Sequence, residues 1–568
     1  MSKSTTNSFT HTLKLSPLEY QKVILDNSFD TSRQLYNNGL GELFRRRKLM
    51  KNSKEYKKVN KIFKEYKKQE KALEKNPELK IKNKIIQKDF KSKYNDLYLK
   101  YGFSEYSIQA YVTKQKNSQF KKLIGGDETQ KVGTRIWKSM SDFHFKNKGK
   151  PKFKRYGLFN SIEGKSSKSS LKFKDGKCLY LKEEIKVIYD LKDTYNIQSH
   201  ALNSRVKYSR ITREYINGEF IYFLQLILEG KPLIKDKNKT PKEFIGNTIS
   251  FDLGPQSIGV VSKNNNISEL NILLPEIERI SKKRIQLQKQ LSKKLRLNNP
   301  NNFEDNKIIK KKIKNKNGTR KRNIKTKQKL GKIIQTNEKL VWKNSKSYLD
   351  LKNLLTELHR KETLKRKEFH NRFINKLLRL GDNFSFEKLS YKGWQKLFGR
   401  SVGSKSPGLF IEKLKYKTEL NNGQILEINT RLTKLSQTCV CGKVKKKKLG
   451  ERFHNCECGL SFQRDMLSAY LALFVKLDKD GKHYLDIIEA QKLLSGFELS
   501  LNNAVLKYQT SSSSVLKTLG FSKSELERFA LLISNKKLSV RENIVGRNTE
   551  SLHLGKQVLL EPTLFSVW

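Results

Sequence analysis

Residues 248–254 read TISFDLG. Ile249 and Phe251 alternate with Ser250 and Asp252, the period of a strand with one apolar face, so Asp252 stands on the face turned away from the core. The pattern returns in NFSFEKLS (383–390), where Phe384 and Phe386 alternate with Ser385 and Glu387. Each acid therefore closes a short strand whose other face is apolar. A third acid, Asp465, opens the helical stretch RDMLSAYLALF (464–474), whose small Ser468, Ala469 and Ala472 suit close packing on a sheet. Carboxylates gathered from two strands and a helix raise one another's pKa and cannot all stay ionised without a cation. Magnesium accepts hard oxygen ligands. Two such ions about 4 Å apart polarise an attacking water and the leaving oxygen of a phosphodiester. On this reading Asp252 bridges both ions, while Glu387 and Asp465 each complete one shell. The competing reading makes the acids caps or partners of surrounding lysines, and spacing alone leaves both open.

Directly before Asp465 stands TCVCGKVKKKKLGERFHNCECGLSFQRD (438–465), which holds four of the five cysteines in the chain. A disulfide framework would spread its cysteines, so this clustering favours a metal. Cys439, Cys441, Cys456 and Cys458 fit a closed tetrahedral zinc site of structural type. Gly442 and Gly459 each follow the second cysteine of a pair, where the backbone NH groups must turn towards sulfur and a side chain would interfere. Two alternatives are metal-free thiols and a site in which His454 replaces one sulfur. Lys443 and Lys445 to Lys448 are expected to face a bound strand. Cys178, left over, reads as an inert buried thiol.

The chain of 568 residues is long enough for three or four structural units. Its 119 Lys and Arg against 55 Asp and Glu give a net charge of +64. Codon bias in an AT-rich genome exchanges arginine for lysine but does not double the basic residues over the acids. Such self-repulsion calls for a polyanion, either nucleic acid or an anionic membrane. No apolar run of membrane-spanning length occurs, and the opening MSKSTTNSFTHTL lacks a signal-peptide core. We therefore expect a soluble intracellular protein that binds nucleic acid.

Along the chain, FTHTLKL (9–15) alternates as a half-buried strand. Ser16-Pro17-Leu18-Glu19 then offers an N-cap, a proline at the first helical position and a Glu at N3. Residues 17–140 are helical in pattern and include the basic run Arg45, Arg46, Arg47. FHFKNKGKPKFKRY (143–156) interleaves rings with cations such as Lys150, Lys152 and Lys154; it is a solvated loop or a backbone-tracking surface with stacking rings. VKYSRITREYI and EFIYFLQLIL flank Asn217-Gly218, the strongest short hairpin signal. Strand, helical insert and further strands make a small β-barrel interrupted by a helical domain. Residues 275–375 are largely helical in pattern. Between Lys307 and Lys329, twelve of 23 residues are Lys or Arg and none is acidic, so the stretch, with Arg320, Lys321 and Arg322, is either a phosphate-contacting helix pair or a loop. After residue 480 the tail reads as amphipathic helices, with a Ser522-x-x-Glu525 capping box before FALLI.

Taken in order, FDLG, SFEKLS and the segment from SQTC to QRD resemble the three parts of the split RuvC-like nuclease of transposon-encoded TnpB proteins and compact type V CRISPR effectors. SRQLYNNGL, KGKPKFK and GLFIEKLKYKTELNNGQILEI match as well, so the resemblance runs from about residue 9 to 475. It implies an α+β multidomain protein: an oligonucleotide-binding-type β-barrel (wedge) with a helical recognition insert, and an RNase H-like (RuvC) α/β nuclease domain carrying a zinc-knuckle insertion. The wedge would take its first strand from 1–16 and its remainder from 141–244, around a recognition lobe at 17–140. The nuclease would occupy 245–435 and 461–480, the zinc-binding target-nucleic-acid loading insert 436–460, and a helical extension 481–568. The resemblance implies an RNA-guided DNA endonuclease that binds guide RNA, reads a short motif flanking its double-stranded DNA target, and cuts with two magnesium ions on Asp252, Glu387 and Asp465. It further implies a protein of the cytoplasm, associated with the nucleoid, of bacterial or mobile-element origin; the oligomeric state is left open, a monomer being favoured. Guide and heteroduplex would be held through phosphates, with salt-sensitive affinity.

The chain departs from its relatives in three ways. Asp465-Met466-Leu467-Ser468-Ala469 stands where many have Asp-x-Asn-Ala-Ala, each cysteine pair has one intervening residue instead of two, and the C-terminal region is additional. Two other functions compete: a nuclease-inactive guided repressor, against which three retained acids argue, and a guide-independent transposase.

Overall fold

The computed structural model describes residues 6–497 except 74–76, 147, 255–256, 265–266, 272–274, 315–319, 337–339, 448–450 and 452. The Ser522-x-x-Glu525 box and FALLI lie outside the described residues. The described residues form two compact units, one drawn from 6–236 and 287–360, the other from 237–286 and 361–497. No described helix is long and apolar enough to cross a membrane.

The first unit opens with β1 (Ser8–Ser16), whose Phe9, Leu13 and Leu15 are buried as the alternation predicts. Five helices follow, Glu19–Asn52, Lys54–Leu73, Pro77–Lys100, Glu105–Gln119 and Gly126–Phe145. The first begins two residues later than the expected Ser16 cap allows, because Ser16 stays in the β1 ladder opposite Lys186. Leu18 becomes the N-cap, and the side chain of Gln21 accepts from its backbone NH. Within SRQLYNNGL, any Cβ on Gly39 would lie 2.6 Å from Ile136 Cδ1 and 2.9 Å from Val112 Cγ1. That glycine lets three helices close on one apolar core containing Leu35, Leu40, Ile108, Val112 and Ile136.

The chain then returns as β2 (Ser161–Glu163), β3 (Lys172–Lys174), β4 (Lys177–Tyr180), β5 (Glu183–Ile188), β6 (Val206–Ile216) and β7 (Glu219–Glu229). With β1 they form a seven-stranded antiparallel sheet in the order β2-β6-β7-β1-β5-β4-β3. Residues from both ends of that order share a single core, including Phe9, Ile162, Cys178, Tyr180 and Leu224. The sheet therefore curls as a half-barrel, although among the described residues no ladder closes β2 onto β3. Asn217 and Gly218 both take positive φ (52° and 98°), as the hairpin turn requires. Cys178 is buried, and its thiol is held in the protonated form by burial.

In the second unit β8 (Thr248–Leu253), β9 (Ser257–Ser262) and β10 (Ile267–Asn271) form an antiparallel meander. The chain next leaves this unit along the helix Pro275–Asn298 and, among residues 287–360 of the first unit, forms β11 (Lys307–Lys314) and β12 (Arg320–Lys329). The latter two correct the expected helix pair or loop: they pair as an antiparallel ribbon from Lys307↔Lys329 to Lys314↔Arg320. Charge density had hidden the strand signal of Ile308, Ile309, Ile313, Ile324 and Thr326. After the helix Lys346–Leu378, β13 (Asn383–Glu387) and β14 (Ile425–Ile428) join β8 in parallel. The five-stranded order is β10-β9-β8-β13-β14.

One face of this sheet, with Ile249, Phe251, Phe384 and Phe386, packs on Phe373, Ile374, Leu377, Phe410, Ile411 and Leu414 of two helices. Phe251 and Phe386 stack with centroids 4.7 Å apart. The opposite face receives the helix Arg464–Ala472. Register is fixed where the strands begin. Buried Asp382 accepts from the Gly246 NH at 2.8 Å, and Gly423 has room only for hydrogen, since a Cβ there would sit 2.0 Å from the Asp382 carbonyl oxygen.

Candidate functional site

The parallel register pairs Phe386 with Phe251, so the next residues, Glu387 and Asp252, are level on neighbouring strands and turned from the phenylalanine core. Two residues earlier on that same face lie Ser250 and Ser385, both buried. Ser250 Oγ donates to the carbonyl of Ala469, and Ser385 Oγ to that of Ala472 at 2.7 Å. Each serine thus holds one late turn of the Arg464–Ala472 helix on the sheet. Its first turn is seated by Gly259, the β9 partner of Asp252. A Cβ at Gly259 would lie 3.0 Å from Met466 Sδ and 3.2 Å from the Asp465 carbonyl oxygen. Ser468, Ala469 and Ala472 are almost fully buried beneath the helix, as their small size predicts. The three acids of the sequence argument thereby come together.

Electrostatics follow from that placement. Burial, then the charges of Asp465 and Glu387, push the Asp252 carboxyl well above the usual carboxylate range, while Ser468 and Arg464 act the other way. Glu387 is pushed up to about 7 by burial. Arg464 donates from Nε to Asp465 Oδ1 at 3.1 Å and from Nη1 to the Glu451 carbonyl at 2.9 Å. Sequence reasoning missed Ser250, Ser385, Gly259, Ser468 and Arg464 as parts of this site. A signal for the serines existed, since both strand acids end a Ser-Phe-acid triplet.

The cysteines form a second centre. Sγ atoms of Cys439 and Cys458 are 3.6 Å apart, as are those of Cys441 and Cys456. Among the described residues this is the one group of three or more metal-type ligands whose donor atoms all lie within 4.8 Å of one another. Each cysteine pair sits in the same turn: Gly442 NH donates to Cys439 O at 2.9 Å and Gly459 NH to Cys456 O at 3.1 Å. Both glycines take positive φ, 84° and 85°. Their expected role needs correction here. Chain neighbours apart, no atom lies within 4 Å of a Cβ at Gly459, and only the flexible end of Ile487 approaches one at Gly442. The left-handed backbone, not crowding by the non-adjacent sulfurs, selects glycine. His454 is not one of the clustered ligands; it is buried, with Nδ1 on Lys447 Nζ, and burial followed by the Lys447 charge lowers it to about 4. Backbone donation from Cys458 lowers Cys456 to about 7.

The basic candidates divide. Arg46 bridges Glu42 and the Gly102 carbonyl, and Arg47 donates to His144 and lies 4.6 Å over the Phe143 ring, so both hold helices together. Arg45 pairs with Glu42 but stays 63% exposed. Lys150 and Lys154 lie over the rings of Phe44 and Tyr36, and Lys152 is exposed. Asn37 exchanges two hydrogen bonds with the Lys154 backbone, fixing KGKPKFK along the first helix. Phe153 and Tyr156 remain exposed. Arg320, Lys321 and Arg322 are on β12, their side chains outside the described residues. Of the expected strand-facing lysines, Lys443 is paired with Glu457 and Lys447 is turned onto His454, Lys445 and Lys446 are exposed, and Lys448 lies outside the described residues.

Residues 408–471, which carry the four cysteines and Asp465, match the family model described as Cas12f1-like, TNB domain. The resemblance to compact type V and TnpB-type effectors holds through this stretch. Two solved structures are similar to the chain. A cryo-EM structure of a Cas12f1–sgRNA–target DNA complex shares 13% identity, with a TM-score of 0.40, over 82% of this chain and 98% of the other. A cryo-EM structure of a CRISPR–Cas12f ternary complex shares 12%, with a TM-score of 0.26, over 81% and 98%. No curated protein matches the chain in sequence.

Proposed function

We propose that the protein is an RNA-guided DNA endonuclease that hydrolyses phosphodiester bonds at Asp252, Glu387 and Asp465. The carrying observation is that Asp252, half-buried, stands close to two further carboxylates in a chain of net charge +64. A bound cation would let them stay ionised together, and three hard oxygen donors fit magnesium. Two such ions would be held by Asp252, Glu387 and Asp465 together. When bound, the ions supply polarisation of the attacking water and charge for the leaving oxygen. The chain's own part is placement: register sets Asp252 level with Glu387, and Ser250, Ser385 and Gly259 fix the helix that carries Asp465.

A sheet of three antiparallel and two parallel strands with acids at neighbouring strand ends supports the RNase H-like (RuvC) reading of the second unit. The curled seven-stranded sheet with its helical insert supports the wedge and recognition lobe. In the Cas12f1-like segment, sulfurs 3.6 Å apart are close to the separation of about 3.8 Å set by Zn–S bonds of about 2.3 Å in a tetrahedron, which supports structural zinc. Guide RNA and target DNA are the polyanions that the charge requires, held through phosphates with Arg45, Lys150 and Lys152 among the exposed cations.

The test uses protein purified with its co-expressed guide. Asp252→Ala should abolish magnesium-dependent cleavage while leaving RNA-dependent DNA binding intact; a variant that still cuts would overturn the assignment.

A further inference from the structure

Neighbours on a helix normally point their side chains apart. Arg464 and Asp465 do not: Nε and Nη2 of the guanidinium both reach Asp465 Oδ1 at 3.1 Å. The third nitrogen, Nη1, donates to the Glu451 carbonyl at 2.9 Å, and the side chain is only 14% exposed. Glu451 leads into the strand Phe453–Asn455, which pairs with Ser461–Gln463 and runs directly into Cys456. Gln463 is in turn the residue before Arg464. The hairpin that presents two of the four thiols therefore has both of its strands fastened to one guanidinium, one through the chain and one through the Glu451 carbonyl.

We propose that Arg464 is a positioning residue that couples the thiol centre to the carboxylate centre, so that metal at one tightens metal at the other, a proposal that rests on the magnesium assignment above. With the thiols holding zinc, the hairpin is closed, the Glu451 carbonyl is in place, and Arg464 is held where it orients Asp465. Without zinc the carbonyl moves, the guanidinium loses its far anchor, and Asp465 loses its orientation. The planar fork of arginine spans two acceptors, whereas a lysine carries the charge on one nitrogen and cannot. The same cation also lies close enough to act on Asp252.

Coupling between two sites is reciprocal, so it is readable from the zinc side without cleavage. Zinc affinity of the full-length chain is measured by competition with a zinc-selective chromophoric chelator, with and without Mg2+, for wild type, Arg464→Lys, Arg464→Gln and Asp252→Asn. Thermal melting with and without Mg2+ is recorded alongside. The wild type should bind zinc several-fold more tightly in Mg2+, and both Arg464 variants should change less than about twofold while keeping their fold. An Arg464→Gln protein with the wild-type enhancement overturns the proposal, as does a wild type that Mg2+ stabilises against heat but whose zinc affinity does not move. If Mg2+ raises the melting temperature of Asp252→Asn as much as that of wild type, the magnesium assignment itself fails. That outcome is distinct from the loss of coupling alone.

Discussion

Replacing Glu387 by glutamine should stabilise the magnesium-free protein at and above neutral pH and change little in acid. The Glu387 carboxyl has its pKa moved by burial from the ordinary 4.5 to about 7. A carboxyl raised on folding contributes stability that is fully present below pH 4.5 and is lost as the pH rises through about 7. At about 1.4 kcal/mol per pH unit, the full loss is roughly 3 kcal/mol. Glutamine keeps the shape, remains neutral, and loses nothing over that window. In a unit of this size 1 kcal/mol moves the midpoint by about 2–4 °C, so the variant should melt roughly 6–12 °C higher than wild type at pH 8 and close to it below pH 4.5. The assay is thermal melting across that range in buffer dialysed free of Mg2+, repeated with Mg2+, which should raise the wild type and shrink the gap. Parallel curves for the two proteins from pH 4.5 to 8 would refute the reasoning, because a buried carboxyl without a cation cannot escape this linkage. Asp252 pushes in the same direction, so the difference between the two proteins, not the wild-type curve alone, isolates Glu387.

Metal analysis of protein purified without chelator should return one zinc per chain. Cys439→Ser should lower both the zinc content and the melting temperature, and zinc-free wild-type protein would count decisively against the thiol centre. Ser385→Ala removes a buried hydrogen bond to the Ala472 carbonyl and should cost about 1–3 kcal/mol by denaturant unfolding; an unchanged stability would show that this serine does not hold the helix.

The two strand acids were legible because each ends a short alternation whose apolar partners, Phe251 and Phe386, mark which face is buried. The small residues after Asp465 likewise announced a helix lying against a sheet. What fixes the acids relative to one another was not legible. Gly259 matters only because β9 brings it opposite Asp252, and a single glycine in SIGVVS has no local signature. Arg464 read as one of 119 basic residues until its distances to Asp465 and Glu451 were known. At 307–329, lysine density outweighed the isoleucines, and a ribbon was taken for a helix pair or a loop. At Arg46 and Arg47 the same bias made packing residues look like phosphate contacts, since a sequence shows the charge of a guanidinium but not the carbonyl, carboxylate or ring it meets.

The helix that completes the carboxylate site is supplied late. β8, β13 and β14 can pair once Ile428 has left the ribosome, but the face bearing Ser250, Asp252, Ser385 and Glu387 stays uncovered until Ala472 follows. At about 5–20 residues per second that interval lasts on the order of 2–9 s. During it, the chain presents two carboxylates on an otherwise finished sheet, and the Ser385 hydroxyl still lacks the Ala472 carbonyl that it meets in the folded protein. A nascent or prematurely terminated chain therefore carries no assembled carboxylate site, and on the proposed function the order of synthesis itself would delay cleavage until the insert is complete.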